Sequence, residues 1–112
     1  MAVSRKRKRR IIVGKREYLW WIAVDDDFCG KALRVVSPDG AFHVKIPYAP
    51  IDPKRNLVDI TAGPNLYVPS GFFRCPLFKT TAVTPRTVRD LIEWVLDPTT
   101  VWLPVDYNGN EV

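Results

Sequence analysis

The segment KALRVVSPDGAFHVKIPY, residues 31–48, contains the strongest local fold signal in the chain. At its centre, SPDG (residues 37–40) has proline at the second turn position and glycine at the fourth. Proline presets φ for a β-turn, and glycine accepts the left-handed conformation that rejoins the next strand. After the turn, four apolar residues alternate with other side chains: Phe42, Val44, Ile46 and Tyr48. This period-2 pattern predicts a strand with one dry and one solvated face, and hence an antiparallel hairpin.

Further strands are predicted on both sides of this hairpin. Residues 11–25 contain two apolar runs joined at Gly14, which predicts a second hairpin with glycine at the positive-φ position of a type II′ turn. LVDIT at residues 57–61 predicts another short strand, and residues 63–73 have room for one more. The first eighty or so residues are therefore expected to be rich in β-structure.

Residues 84–98, TPRTVRDLIEWVLDP, change to a helical period. Thr84 suits the N-cap, Pro85 suits the first helical position, and Pro98 stops a helix after Asp97. Five apolar residues follow the spacing of a single helical stripe: Val88, Leu91, Ile92, Val95 and Leu96. One amphipathic helix is predicted here.

Together these elements predict an α+β domain. We expect a small antiparallel sheet of about four to six strands, a meander or a partly closed roll, with the C-terminal amphipathic helix packed on one face. The chain has 112 residues, 46% hydrophobic and 26% charged, which fits one globular domain. We assign that domain to residues 11–112 and expect residues 1–10 to form a disordered basic tail.

The stretch EYLWWIAVDDD, residues 17–27, is apolar on both faces when it is extended. Tyr18, Trp20, Ile22 and Val24 would share one face, with Leu19, Trp21 and Ala23 on the other. One helix cannot cover both faces. The second face of the strand is expected to be covered by curvature of the sheet, by residues 101–104 folding back, or by another protein chain.

An exposed aromatic patch on this strand would be a binding surface, because tryptophan is enriched at the energetic centres of interfaces. The candidate interface residues are Trp20, Trp21, Trp94 and Trp102. They lead us to expect a protein-interaction or self-associating module, with a protein partner or a second copy as the ligand.

The net charge of +5 comes from the N-terminus. The chain has 17 lysines and arginines against 12 acidic residues, and six of these cations are consecutive: Arg5, Lys6, Arg7, Lys8, Arg9 and Arg10. The rest of the chain has 17 − 6 = 11 cations against 12 anions. A basic run can neutralise nucleic-acid phosphates or can simply be a solvated arm. The alternative function is thus a nucleic-acid-binding accessory protein that uses this tail.

Signals for metals, cofactors and catalysis are weak. Asp25, Asp27 and Gly30 match the start of an EF-hand loop, but Val36 occupies the position that needs a bidentate glutamate. His43 is the only histidine, and alternation places it on the solvated face. We therefore expect neither a metal nor a cofactor, and no enzymatic activity.

The two cysteines, Cys29 and Cys75, form no C-x-x-C pair, and no export signal precedes them. Free thiols and a cytoplasmic location are expected. A Cys29–His43 nucleophile and base is the remaining catalytic hypothesis. No run of apolar residues approaches the length of a membrane span, so no membrane partner is expected.

Overall fold

The computed structural model describes residues 7–25, 30–48, 56–62, 68–76, 78, 83–106 and 108–112. Six antiparallel strands form one open sheet in which every strand pairs with its neighbours in sequence. The strands are β1 (Arg9–Val13), β2 (Arg16–Asp25), β3 (Gly30–Val36), β4 (Phe42–Pro47), β5 (Leu57–Ala62) and β6 (Gly71–Arg74). The α+β class and the meander are confirmed.

The β3–β4 turn has the predicted chemistry. The Gly40 amide donates to the Ser37 carbonyl at 2.9 Å, and Gly40 has a left-handed φ of 78°. Asp39 Oδ1 accepts from the Ser37 hydroxyl at 2.5 Å and from the Ala41 amide at 3.0 Å. The hydrogen bonds to the Asp39 side chain thus stabilise a turn that proline and glycine already favour.

The β1–β2 turn differs from the prediction of a type II′ turn. Gly14 and Lys15 both have positive φ, 56° and 67°, as a type I′ turn requires. The twist of a type I′ turn matches the right-handed twist of the flanking strands. Tertiary pairing therefore holds Lys15 in a conformation that its side chain alone would not favour.

The helix α1 spans Pro85–Leu96 with Thr84 as its N-cap, as predicted. The Thr84 hydroxyl accepts from the Thr87 amide at 3.4 Å, and the Thr87 hydroxyl accepts from the Thr84 amide at the same distance. Asp97 is the C-cap, and Pro98 follows it. Capping and the proline limit the helix to three turns, which pack on the sheet at β1.

The main core lies between α1 and one face of the sheet, here called the helix face. Tyr18 and Trp20 of β2 are buried on this face together with side chains from all the other strands. The helix contributes four fully buried residues: Val88, Leu91, Ile92 and Val95. Leu96, the last member of the predicted stripe, is instead 37% exposed, because it lies at the end of the helix.

The C-terminal segment pairs antiparallel with β6 and places one side chain, Val105, on the opposite face of the sheet, here called the second face. The Arg74 amide donates to the Leu103 carbonyl at 2.9 Å, and the Val105 amide donates to the Phe72 carbonyl at 3.0 Å. Val105 then packs with Ala32 and Leu57 in a small buried cluster. The cover therefore comes from Val105 and lies over Ala32 and Leu57, whereas the prediction that residues 101–104 fold back over the second face of β2 is not met, because residues 103–105 pair with β6 instead.

The second face is less solvated than alternation along β4 predicts. His43 is half-buried, the Lys45 side chain is only 13% exposed, and the Lys45 ammonium lies 3.5 Å from the Asp59 carboxylate on β5. His43 lies between Val36 and Thr61 in the register of the neighbouring strands. The prediction that His43 lies on a solvated face is corrected to a half-buried position, because alternation along one strand does not include the cover supplied by its neighbours.

The sheet begins inside the segment that the sequence assigned to the tail. Arg9 and Arg10 form the first two residues of β1 and pair with Trp20 and Leu19.

Among the described residues, no helix is long and apolar enough to cross a membrane.

Candidate protein interface

Three of the four candidate tryptophans pack within the protein itself. Trp20 is 5% exposed in the main core. The rings of Trp94 and Trp102 meet edge to face with their centroids 5.0 Å apart, and Trp102 also contacts Phe73 at 5.2 Å. Trp21 lies on the second face and is half-exposed. The structure therefore brings Trp94 and Trp102 together, and it places Trp20 and Trp21 on opposite faces of β2.

The end of β2 forms an open strand edge. β1 pairs with β2 only over residues 16–20. Over residues 21–25, β2 pairs with β3 on one side, and no described strand pairs with it on the other. Arg7 has a φ of 61°, outside the range of an extended strand, and β1 begins only at Arg9. We call residues 21–25 of β2 the β2 edge.

Apolar side chains are exposed on the β2 edge. Ile22 is 38% exposed and Val24 is 71% exposed, and both lie on the helix face. These two residues continue the apolar row that begins with Tyr18 and Trp20 under the helix. An exposed strand edge with apolar side chains is a surface on which another strand can pair.

Cations surround the Trp21 end of this edge. The Lys8 ammonium lies 4.6 Å from the centroid of the Trp21 ring on the second face. On the helix face the Arg9 guanidinium lies 5.4 Å from the centroid of the Trp20 ring. A depression of about 520 Å³ runs along this edge, with Arg7, Arg9, Ile22 and Val83 in its wall. The opposite end of the edge is Asp25, which two further aspartates follow in sequence.

The basic run is only partly described. Arg5 and Lys6 lie outside the described residues. The Arg10 guanidinium is 3.5 Å from the Glu17 carboxylate across the β1–β2 pair. Arg10, Arg9 and Lys8 thus contact side chains of β2, and the proposal of phosphate contacts for the whole run, residues 5–10, stays a prediction.

The candidate catalytic groups do not converge in the described residues. Cys75 is 6% exposed on the helix face, and its thiol donates to Asn56 Oδ1 at 3.7 Å. Burial raises the pKa of the Cys75 thiol to about 12, so it is protonated at neutral pH. His43 faces the other side of the sheet. The Cys29–His43 hypothesis cannot be placed, since Cys29 lies outside the described residues.

The EF-hand resemblance has no counterpart in the described part of the chain. Asp27 and Cys29 lie outside it, whereas Val36 is buried at the end of β3. Within the described residues, no three potential metal ligands cluster.

The β2 edge is a feature that the sequence interpretation missed. Ile22 and Val24 were assigned to an apolar face but not to an exposed edge. A usable signal was present: the apolar run before Gly14 has three residues, Ile11 to Val13, whereas the run from Tyr18 to Val24 has seven. A long strand paired with a short one leaves part of its edge open.

No family model matches the chain, and searches of curated proteins and of solved structures find no significant match either.

Proposed function

We propose that this protein is a non-catalytic protein-interaction module whose contact surface is the β2 edge. One observation carries the proposal: five residues of β2 extend past β1, and the side chains of Ile22 and Val24 are exposed there. Main-chain pairing at such an edge supplies affinity, and alternate side chains supply specificity. The matching partner is an extended segment of another protein.

The charges at the β2 edge favour an acidic partner segment. Arg7, Lys8 and Arg9 adjoin its Trp21 end. A strand that carries carboxylates near this end would gain attraction in addition to backbone hydrogen bonds. Lysines and arginines also guard edges against unwanted pairing, so the same cations would reject segments without complementary charge.

The proposal assigns no catalytic role to Cys75 or His43. Cys75 is held as a protonated thiol in the core, and His43 lies on the opposite face of the sheet. A nucleophile and its base must be within hydrogen-bond reach of each other. The cytoplasmic location that the sequence predicts is retained as part of the proposal.

A second candidate is nucleic-acid binding through residues 5–10. Its support is the concentration of cations beside Trp21, a partly exposed ring next to Lys8. Stacking of bases on aromatic rings and contacts to phosphates commonly occur together. The protein-binding proposal is preferred because Lys8, Arg9 and Arg10 already contact β2 side chains.

A labelled six-residue peptide of alternating valine and glutamate tests the proposal. Its fluorescence anisotropy should rise with added protein, and Lys8→Glu should weaken binding because it reverses a charge at the edge. Lys15→Glu is the matched control, since Lys15 is exposed in the turn at the far end of the β1–β2 hairpin. The protein should be kept below any concentration at which light scattering detects association.

Two results decide against the protein-binding proposal. One is the absence of saturable peptide binding; the other is equal weakening by Lys8→Glu and Lys15→Glu. A labelled single-stranded oligonucleotide, titrated at two salt concentrations, distinguishes the second candidate. Binding of the oligonucleotide alone, with affinity that falls steeply as salt rises, would support the nucleic-acid function instead.

A further inference from the structure

A crevice opens on the helix face of the sheet, beside the β3–β4 turn and the last residue of α1. Its volume is about 410 Å³, and its walls are mainly apolar: Tyr18, Pro38, Ala41, Phe42 and Leu96. We propose that this crevice, here called the Tyr18 crevice, binds a small uncharged aromatic molecule that carries one hydroxyl or carbonyl group. Ligand pockets commonly have volumes of about 300–1,000 Å³ and apolar walls with a few polar groups.

The Tyr18 crevice forms where three elements begin or end. Tyr18 lies near the start of β2 and Phe42 begins β4, and their rings meet edge to face with centroids 5.5 Å apart. Leu96 is the last residue of α1, because Pro98 disfavours a helical conformation at the residue before it. The helix therefore ends beside the two rings, and Leu96, which is 37% exposed, forms an apolar wall of the crevice.

The hydroxyl of Tyr18 lacks a hydrogen-bond partner among the described residues. Tyr18 is 3% exposed and lines the crevice, yet no group in the described part of the chain donates to this hydroxyl or accepts from it. The large majority of buried polar groups in proteins are hydrogen-bonded. Burial raises the pKa of Tyr18, so the hydroxyl is protonated at neutral pH and can both donate and accept. A hydroxyl or carbonyl group of a ligand would supply the partner.

The charges beside the Tyr18 crevice favour an uncharged ligand. Arg16 is exposed and lies two residues before Tyr18, on the same face of β2, and Asp39 of the β3–β4 turn also lines the crevice. Hydrogen bonds from Ser37 and from the turn backbone lower the pKa of Asp39, so its carboxylate is charged at neutral pH. A cationic ligand would meet Arg16 and an anionic ligand would meet Asp39. An uncharged ligand avoids both repulsions and the cost of burying a charge between apolar walls.

Glu17, the third charged residue that lines the crevice, does not change this choice. It alternates with Tyr18 along β2, so its side chain points to the second face of the sheet. There its carboxylate lies 3.5 Å from the Arg10 guanidinium. The charge of Glu17 is therefore compensated within the β1–β2 hairpin.

The two rings of the crevice favour an aromatic ligand. Aromatic rings pack best edge to face or offset, as Tyr18 and Phe42 already do. A third ring between them and Leu96 would extend this packing. Para-cresol, which has one ring, one methyl group and one hydroxyl, is the simplest probe of this chemistry.

Titration of the isotope-labelled full chain with para-cresol, followed by NMR, tests the proposal. The amide resonances of Ser37, Ala41 and Leu96 should shift and saturate, with a dissociation constant of about 0.1–1 mM for so small a ligand. Para-toluate, an anion, and para-methylbenzylamine, a cation, should each bind more weakly.

Tyr18→Phe tests the role of the hydroxyl. This variant keeps the ring in the core and should weaken para-cresol binding about three- to tenfold, as expected for one hydrogen bond. It should not weaken the binding of toluene, which has no hydroxyl. Tyr48→Phe is the matched control, because Tyr48 follows the opposite end of β4 from Phe42.

Leu96→Ala tests the apolar wall independently of Tyr18. It should weaken para-cresol and toluene alike, about fourfold for each methylene-sized contact that is lost. Leu103→Ala is the matched control, since Leu103 is 40% exposed outside the crevice and Leu96 is 37% exposed. The amide spectrum of each variant shows whether it is folded.

Any of three results would overturn the inference. The first is the absence of saturable shifts with para-cresol, and the second is para-cresol binding that neither Tyr18→Phe nor Leu96→Ala weakens. The third is a charged relative that binds as tightly as para-cresol. The proposed function is unaffected by these results, because the Tyr18 crevice and the β2 edge lie at opposite ends of β2.

Discussion

Replacing Trp102 by alanine should release the C-terminal segment from the sheet. Trp102 meets Trp94 of α1 at 5.0 Å and Phe73 of β6 at 5.2 Å, both edge to face. The adjacent Leu103 carbonyl accepts from the Arg74 amide, and Val105 covers Ala32 on the other face. The ring thus packs directly before the point at which residues 103–105 pair with β6.

The expected loss follows from these contacts. Truncation of a fully buried Trp or Phe to alanine costs about 3–5 kcal/mol, and edge-to-face pairs contribute about 0.5–1.5 kcal/mol each beyond burial. Trp102 is only half-buried. We therefore expect Trp102→Ala to lower the free energy of unfolding by about 2–3 kcal/mol.

Urea denaturation followed by far-UV circular dichroism measures this loss. Val101→Ala is the control: its side chain is 85% exposed, so its effect should stay within about 0.5 kcal/mol. A double-mutant cycle with Phe73→Leu should give a coupling energy of about 0.5–1.5 kcal/mol. A loss no larger than that of Val101→Ala, or a coupling energy of zero, would refute the role of Trp102.

Three further predictions concern the helix cap, the buried thiol and the β3–β4 turn. Thr84→Ala should lower the free energy of unfolding by about 1 kcal/mol in urea denaturation, whereas Thr84→Ser, which keeps the hydroxyl cap, should lose much less. Burial raises the pKa of the Cys75 thiol to about 12. The stability that the protonated thiol contributes is therefore complete below the usual thiol pKa near 9 and is lost as pH rises toward 12. Urea denaturation at a series of alkaline pH values should show this decline in stability, and Cys75→Ala should make the decline smaller. Hydrogen bonds from Ser37 and from the Ala41 amide lower the pKa of Asp39, so an NMR titration should find its midpoint below the usual aspartate range, and Ser37→Ala should raise that midpoint. An alkaline decline that Cys75→Ala does not reduce, or an Asp39 midpoint unchanged by Ser37→Ala, would count against the burial of the thiol or the hydrogen bond to Asp39, respectively.

Much of the fold was predictable because its signals are local. The β3–β4 turn depends on Pro38 and Gly40, and the helix depends on Thr84 and two prolines. Each of these residues acts on the backbone within a few positions of itself, by fixing φ or by supplying a cap. Their effects can therefore be inferred before any tertiary contact is known.

The candidate site was less predictable. The sequence singled out tryptophans, yet Trp20, Trp94 and Trp102 pack against the protein's own core. Residue type and alternation indicate that a side chain is apolar, but not which neighbour covers it. The exposure of Ile22 and Val24 depends on the strand register, because β1 ends opposite Trp20.

By itself, the sequence determined the element types: the strands that follow period-2 alternation, the SPDG turn, the capped helix and the cationic N-terminus. Tertiary structure alone decided which surfaces remain open. It set Gly14 and Lys15 in a type I′ turn, laid Val105 over the second face and left residues 21–25 beyond the reach of β1. Propensities and caps act over a few bonds, whereas strand register and burial depend on residues that are distant in sequence and meet only in the folded chain.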